Sequence, residues 1–312
     1  MDKQPIPDTL IEAVRQFSDP KVAHDFFAQI RFPYGVACPR MGCGSARVAF
    51  LEKQMRWYCN ECKRQFSVKV GTIFEDSPIP LTKWLPAIWL IASNRNGISS
   101  YEIARGLKVT QKTAWFMLHR IREAMRDESF EKFGALPIEV DETFVGGKVK
   151  SPKNAAGRAV RTGRGPNFGK TTVMGMVERK GKVRAFVVPS NRRYTLSDKI
   201  YEHIAQGATV YTDGLASYSR LNRDYVHHVI DHATEYVRGH IHTNNIEGFW
   251  SVLKRTLKGT YIAPRPKHLQ SYVEEQVFRF NERTEKDGPR FAKAVKRTDG
   301  KRLTYQSLIN KK

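Results

Sequence analysis

The chain has 312 residues, of which 40% are hydrophobic, and it carries a formal net charge of +22. A chain of this length can bury a substantial core and is expected to contain two or three domains. The excess of positive charge indicates a polyanionic partner, either nucleic acid or an anionic membrane surface. No apolar run approaches the roughly 18 residues of a membrane-spanning helix, and residues 1–7 lack the basic start and apolar core of a signal peptide. These features favour nucleic acid over a membrane, and a cytoplasmic, nucleoid-associated location.

All four cysteines lie within a short segment, as the pairs Cys38 with Cys43 and Cys59 with Cys62. Two such pairs separated by a short segment are typical of a tetrahedral four-thiolate zinc site in a ribbon. Two disulfides are the alternative, which is disfavoured because nothing in the sequence indicates an oxidising compartment. We predict one structural zinc per chain in a ribbon over 32–75, after a helical segment over 1–31.

Helical periodicity begins at Leu81 and continues to about residue 125. Ser99 and Thr110 are predicted N-caps of two successive helices, and Gly106 is predicted to end the first of them. Two helices joined by a glycine-containing turn fit a helix-turn-helix, which we assign to a DNA-binding domain over 76–128. The alternative is an ordinary helical hairpin in which Trp115 and its neighbours are core.

After residue 125, strands and helices alternate. The ribonuclease-H-like fold has this element order: three strands, then helix, strand, helix, strand and helix. The sequence matches it, except that no clear helix is visible between Asp213 and Tyr225. We therefore predict an α/β domain over 129–285, with a mixed sheet flanked by helices, and a basic C-terminal tail over 286–312.

The apolar run 137–147 contains the acid pair Asp141 and Glu142. A carboxylate in a buried strand costs several kcal/mol unless it is paired, so this run indicates either nearby Arg and Lys partners or a bound metal. Consecutive strand residues point to opposite faces. Asp141 therefore shares a face with Glu139, which has no assigned role, and Glu142 is assigned a surface or salt-bridge role.

Two further acids lie on later elements. Asp213 ends an apolar strand, at the edge where open α/β sheets bind ligands, although an Asp-Gly pair also favours a simple turn. Glu247 lies on a predicted amphipathic helix, where it would alternatively complete a capping box with Asn244. Three acids on two strands and a helix suit two-metal phosphoryl chemistry with Mg²⁺. Lys254, two helical turns after Glu247, would contact phosphate.

Several motifs occur in a fixed order along the chain: Cys59-Asn-Glu-Cys62, Ala114-Trp115, Val140-Asp-Glu-Thr-Phe-Val-Gly-Gly147, Tyr211-Thr-Asp-Gly214 and Asn245-Ile-Glu-Gly-Phe-Trp250. Together they resemble bacterial insertion-sequence transposases of the DDE group, which have an N-terminal zinc ribbon and an ISXO-like catalytic domain. The resemblance extends from about Phe17 to Arg283. It implies that Asp141, Asp213 and Glu247 are the catalytic acids, with Asn244 and Asn245 as alternatives for the third ligand. The same acids would bind two Mg²⁺ ions, for which Mn²⁺ would substitute.

The hypothesis that follows is a transposase. It would bind double-stranded DNA at the inverted-repeat ends of its element, hydrolyse a phosphodiester, and use the exposed 3′ hydroxyl to attack target DNA, as a homo-oligomer. The segment 148–170, with seven Lys or Arg and no acid, would track phosphates. The alternatives are an inactive or domesticated relative that acts as a DNA-binding regulator, and a ribonuclease H or junction resolvase. The predicted DNA-binding residues are Gln111, Lys112, Arg120, Lys148, Lys150, Arg161, Arg164, Lys254 and Arg255.

Overall fold

A computed structural model describes residues 4–146, 169–230, 242–262 and 264–310. The chain divides into two compact units: the first combines Met1–Asp127 with Glu282–Lys312, and the second is Glu128–Asn281. Within the described ranges, no helix is both long and apolar enough to cross a membrane.

A three-stranded antiparallel sheet forms the ribbon of the first unit, as the sequence predicts. Its small core is aromatic: Trp57 pairs with Phe66 on the next strand, and their ring centroids are 5.7 Å apart. The imidazole of His24 also stacks on Trp57, with ring centroids 5.0 Å apart. The strands are β1 (Val48–Leu51), β2 (Arg56–Cys59) and β3 (Gln65–Ser67).

Helices make up the remainder of the first unit. The predicted N-caps are confirmed: the side chain of Ser99 accepts the backbone N–H of Glu102, and that of Thr110 accepts the N–H of Thr113. The prediction that Gly106 ends the earlier helix is wrong, because the helix continues through it and ends at Leu107, before the left-handed Lys108. These helices are α1 (Leu10–Gln16), α2 (Pro20–Arg31), α3 (Leu81–Ser93), α4 (Ser100–Leu107) and α5 (Gln111–Met125).

The segment predicted as a basic tail contains two helices and belongs to the first unit. It forms α9 (Asp287–Lys296) and α10 (Tyr305–Ile309). Phe291 is fully buried and packs against Trp89 of α3, with ring centroids 5.1 Å apart. The apolar positions 291, 294 and 295 lie on one face of α9, and the basic residues Arg290, Lys293 and Lys296 around them conceal this pattern in the sequence.

The second unit contains a five-stranded mixed sheet flanked by helices, which confirms the predicted architecture. The order across the sheet is β6-β5-β4-β7-β8. The first three of these strands are antiparallel, and β7 and β8 run parallel to β4. The elements are β4 (Ile138–Val145), β5 (Thr171–Glu178), β6 (Val183–Val188), α6 (Arg193–His203), β7 (Thr209–Asp213), β8 (Val226–Ile230), α7 (Asn244–Gly259) and α8 (Pro266–Asn281).

Both faces of the sheet are covered, so the central strands are apolar on both sides. One cluster joins Ile138 and Met174 to Leu196 of α6. The other joins Val173 and its neighbours to Phe249 of α7 and to α8. Between β7 and β8 the described chain makes only two short 3₁₀ turns, Ala216–Tyr218 and Leu221–Arg223. This agrees with the absence of a clear helical pattern there.

Candidate active site and zinc site

The four cysteines form one compact cluster in the ribbon. Their Sγ atoms all lie within 4.8 Å of one another, and the separations are 3.8 Å for Cys38 with Cys62 and 3.6 Å for Cys43 with Cys59. A tetrahedron with Zn–S bonds of about 2.3 Å has edges of about 3.8 Å. None of the four is in a disulfide. The cluster therefore fits one structural zinc ion.

Asp141 lies in the middle of β4 and is partly buried. Its Oδ2 accepts a hydrogen bond from the indole Nε1 of Trp250 at 2.9 Å, and its Oδ1 accepts the backbone N–H of Glu142 at 2.8 Å. A carboxylate oxygen has two lone pairs. The two bonds therefore fix the orientation of the carboxylate and leave each oxygen able to accept another contact.

Trp250 can reach Asp141 because the residue paired with Asp141 on β5 is Gly175. A Cβ at Gly175 would lie 2.6 Å from the indole ring of Trp250 and 2.8 Å from the side chain of Ile246. Any other residue at this position would collide with the indole. Gly175 therefore provides the space in which α7 lies close to the sheet beside Asp141.

The charges of Asp213 and Glu247 act on Asp141. Burial, together with the negative charges of Asp213 and Glu247, raises the pKa of Asp141 to about 6. Asp213 ends β7, the strand next to β4; if the register of β4 with β7 were continued by two residues, Asp213 would lie beside Asp141. Both neighbouring elements are thus linked to β4: β7, which ends at Asp213, pairs with it, and α7, which carries Glu247, is bonded to it through Trp250.

Asp213 and Glu247 are each held by a local contact. Oδ1 of Asp213 accepts the backbone N–H of Leu215 at 3.1 Å, so this acid also closes the turn expected of an Asp-Gly pair. Glu247 is exposed, and its Oε1 accepts the hydroxyl of Thr243 at 3.1 Å. The capping box with Asn244 does not form, because the helix begins at Asn244 and its N-cap is Thr243.

Glu142 is partly buried and bonds to a tyrosine, which differs from the surface or salt-bridge role assigned to it. Its Oε2 accepts the hydroxyl of the buried Tyr218 at 2.8 Å. Burial, together with the charges of Asp213 and Asp141, raises the pKa of Glu142 to about 7. Alternation along β4 could not reveal this, because in the described chain β4 pairs with β7 at only two positions. Glu142 lies beyond that pairing, where the charges of Asp213 and Asp141 act on it.

The acids fit hard divalent cations by their chemistry. All their donor atoms are carboxylate oxygens, which Mg²⁺ and Mn²⁺ prefer, and a bound cation would relieve the mutual repulsion. Among the described residues, only the four cysteines place three or more ligand atoms close enough together to coordinate a single ion. The acids are not gathered in that way; Asp141 and Asp213 are partly buried and Glu247 is exposed.

The predicted DNA-binding residues differ in their surroundings. Gln111 and Lys112 are exposed in the first turn of α5, and Lys254 and Arg255 are exposed on α7. Arg120 is 5% exposed and donates hydrogen bonds to the carbonyl oxygens of Leu303, Ile73 and Glu75. The prediction that Arg120 faces DNA is therefore wrong. Four predicted residues lie outside the described ranges: Lys148, Lys150, Arg161 and Arg164.

Two family models match this chain: an ISXO2-like transposase domain over residues 134–281 and a transposase zinc-ribbon domain over residues 19–65. An uncharacterized protein in transposable element ISH50 of Halobacterium salinarum is 29% identical over 259 residues, or 78% of this chain and 85% of that protein. An uncharacterized transposase-like protein of Haemophilus influenzae is 35% identical over 103 residues, or 33% of this chain and 83% of that protein. A solved structure of a pre-cleavage Mos1 transpososome is 14% identical with a TM-score of 0.24, covering 67% of this chain and 76% of that chain. This score is too low to support an argument.

Proposed function

The chain belongs to the family of transposases that combine a zinc ribbon with an ISXO2-like transposase domain, and we propose that it cleaves and joins DNA at the ends of its insertion sequence. The observation that supports the proposal most is that Asp141 is bonded to Trp250 of α7, the helix that carries Glu247, while its strand pairs with β7, which ends at Asp213. The charges of both acids also raise the pKa of Asp141. The raised pKa means that the charged form of Asp141 is disfavoured in the metal-free protein. Such an arrangement is expected where a cation binds.

Asp141, Asp213 and Glu247 would hold two Mg²⁺ ions, with Asp141 as the shared ligand and Mn²⁺ as a substitute. When bound, the ions would polarise the scissile phosphate and activate the attacking water or 3′ hydroxyl. The chain prepares Asp141 for this role, because Trp250 and the backbone of Glu142 orient its carboxylate. Glu142 is a fourth carboxylate beside the site, fixed by Tyr218.

Binding of double-stranded DNA would involve both units. Lys254 and Arg255, exposed on α7 beyond Glu247, would contact phosphates of the DNA end. In the first unit, the ribbon together with α4 and α5 as a helix-turn-helix would recognise the inverted repeat, with Gln111 and Lys112 on the exposed side. We also propose that the second unit is a ribonuclease-H-like domain and that the enzyme acts as a homo-oligomer on DNA.

The test uses a DNA duplex that contains one end of the element. We expect the wild-type protein to cleave it in Mg²⁺ or Mn²⁺, and the Asp141→Asn variant to bind the duplex with unchanged affinity and not to cleave it. Cleavage by Asp141→Asn at the wild-type rate would contradict the mechanism. A wild-type protein that binds the end but does not cleave it in either metal would instead be the DNA-binding regulator.

A further inference from the structure

Glu139 lies on β4, two residues before Asp141, and its side chain is fully buried. Its Oε1 accepts hydrogen bonds from Nε of Arg179 at 3.1 Å and from Nδ2 of Asn245 at 2.7 Å. Its Oε2 accepts the backbone N–H groups of Asn245 at 2.9 Å and of Ile246 at 3.2 Å. A carboxylate has about four acceptor positions, so these four donors occupy them. Glu139 is therefore not available as a metal ligand.

The backbone groups that Glu139 binds belong to the first turn of α7. The first N–H groups of a helix have no partner within the helix, and a side chain at the N-cap normally accepts one of them. In the described structure the N-cap Thr243 makes no such bond, and its hydroxyl donates to Glu247 instead. Glu139 thus performs the capping role from a different element, and its negative charge also complements the helix dipole.

Arg179 balances the charge of this buried carboxylate. Its guanidinium also donates to the carbonyl oxygen of His242 at 3.0 Å and lies 4.6 Å from the ring centroid of Tyr211 on β7. Nδ1 of His242 is 3.4 Å from Oε1 of Glu139. The network therefore joins β4, β7 and the start of α7.

The capped turn leads directly to a proposed catalytic acid, because Glu247 follows Ile246. We infer that Glu139 is a positioning residue: by holding the first turn of α7 to β4, it sets the position of Glu247 relative to Asp141 on the same strand. This inference rests on the proposed function for its consequence in metal binding. The attachment of the helix to the strand is a separate property that can be measured in the metal-free protein.

The test compares Glu139→Gln with Glu275→Gln in the full-length protein. Glu275 is a matched control, because it is also fully buried in the second unit and paired with an arginine, Arg279, but it lies on α8. Hydrogen–deuterium exchange of segment 242–250 and the affinity for Mn²⁺ are measured for both variants and for wild type. Glu139→Asp, which keeps the charge but is one methylene shorter, provides a variant with a smaller disturbance of the fold.

For Glu139→Gln we expect faster exchange in segment 242–250 and about 10- to 100-fold weaker Mn²⁺ binding, as is typical when a residue that orients a ligand is lost. Glu139→Asp should give an intermediate effect in the same direction. Glu275→Gln should leave both the exchange of segment 242–250 and the Mn²⁺ affinity at wild-type values. Wild-type exchange and affinity in a folded Glu139→Gln or Glu139→Asp variant would overturn the inference. If the wild-type protein does not bind Mn²⁺, the proposed function fails, and the exchange comparison still decides whether Glu139 holds the helix.

Discussion

The indole Nε1 of Trp250 donates a hydrogen bond to Oδ2 of Asp141 at 2.9 Å, and this bond connects α7 to the middle of β4. Trp250 is therefore more than a core residue. A donor favours the charged form of the acceptor carboxylate, so the bond partly offsets the effect of burial on the pKa of Asp141.

Replacing Trp250 by Phe removes this donor and keeps most of the buried ring. The pKa of Asp141 should then rise above about 6, and Mn²⁺, which requires the deprotonated carboxylate, should bind only at higher pH. One hydrogen bond of about 1 kcal/mol corresponds to a shift of about 0.7 pH units. The measurement is Mn²⁺ affinity as a function of pH. The control is Trp84→Phe, which removes an indole hydrogen bond to Ser77 in the first unit. It should leave the pH midpoint of Mn²⁺ binding unchanged. An equal shift of this midpoint in both variants would contradict the role of Trp250 as a donor to Asp141.

Gly175→Ala should destabilise the second unit, because the new Cβ would lie 2.6 Å from the ring of Trp250. Overpacking of this kind costs about 1 to 3 kcal/mol. The control is Gly248→Ala on α7, where a Cβ would meet nothing within 4 Å. A helix-interior glycine costs about 0.5 to 1 kcal/mol relative to alanine, so the control should be more stable than wild type. Chemical denaturation measures the free energy of unfolding of both variants. Equal stability of the two would show that Gly175 is not required for the packing of Trp250.

The raised pKa values of the acids predict how the stability of the metal-free protein varies with pH. Asp141 has a pKa of about 6 in the folded protein against an ordinary 3.8, and Glu142 about 7 against 4.5. The folded state therefore binds these protons more tightly than the unfolded state, and stability is lost as the pH rises from about 4 to about 7.

Asp141→Asn removes one of these charges. At pH 8, without divalent metal, we expect this variant to be more stable than wild type by up to about 3 kcal/mol, since one pKa unit corresponds to about 1.4 kcal/mol. At pH 4 the difference should nearly vanish. Thermal and denaturant unfolding at the two pH values measure this. A variant less stable than wild type at pH 8 would show that the carboxylate is paired with a positive charge.

Much of the architecture follows from local patterns. All four cysteines fall within one short segment, as two pairs whose spacing is typical of a four-thiolate zinc site. This pattern predicts the zinc ribbon without knowledge of the rest of the chain. The alternation of apolar strands and amphipathic helices after residue 125 similarly leads to a mixed sheet covered on both faces, and Asp213 could be chosen because it ends a strand.

The errors arise where distant segments determine the surroundings of a residue. Arg120 has the position and charge of a DNA contact, but it is buried by carbonyl groups at residues 73, 75 and 303. Periodicity within α5 cannot show that a segment more than 180 residues later covers it. The roles of Glu139 and Glu142 depend in the same way on where α7 begins and on how far β7 extends along β4.

The zinc prediction is tested by metal analysis and stability together. Wild-type protein should contain one zinc per chain, and Cys59→Ser should contain substantially less and unfold at a lower temperature, because a ribbon with so small a core depends on the metal. Ser67→Ala, a substitution on β3 that leaves all four thiolates in place, is the control and should retain zinc. Full zinc occupancy and unchanged unfolding of Cys59→Ser would contradict a four-thiolate site.

The most direct test of the central claim, that Asp141, Asp213 and Glu247 act together as one metal site, is a calorimetric titration of the protein with Mn²⁺ at pH 8. The wild-type protein is expected to bind two ions per chain, and each of Asp141→Asn, Asp213→Asn and Glu247→Gln is expected to weaken binding at least tenfold. Lys254→Ala, which removes a proposed phosphate contact, should bind Mn²⁺ as wild type does. Wild-type affinity and stoichiometry in any one of the three acid variants would show that the acid concerned is not a ligand and would contradict the account.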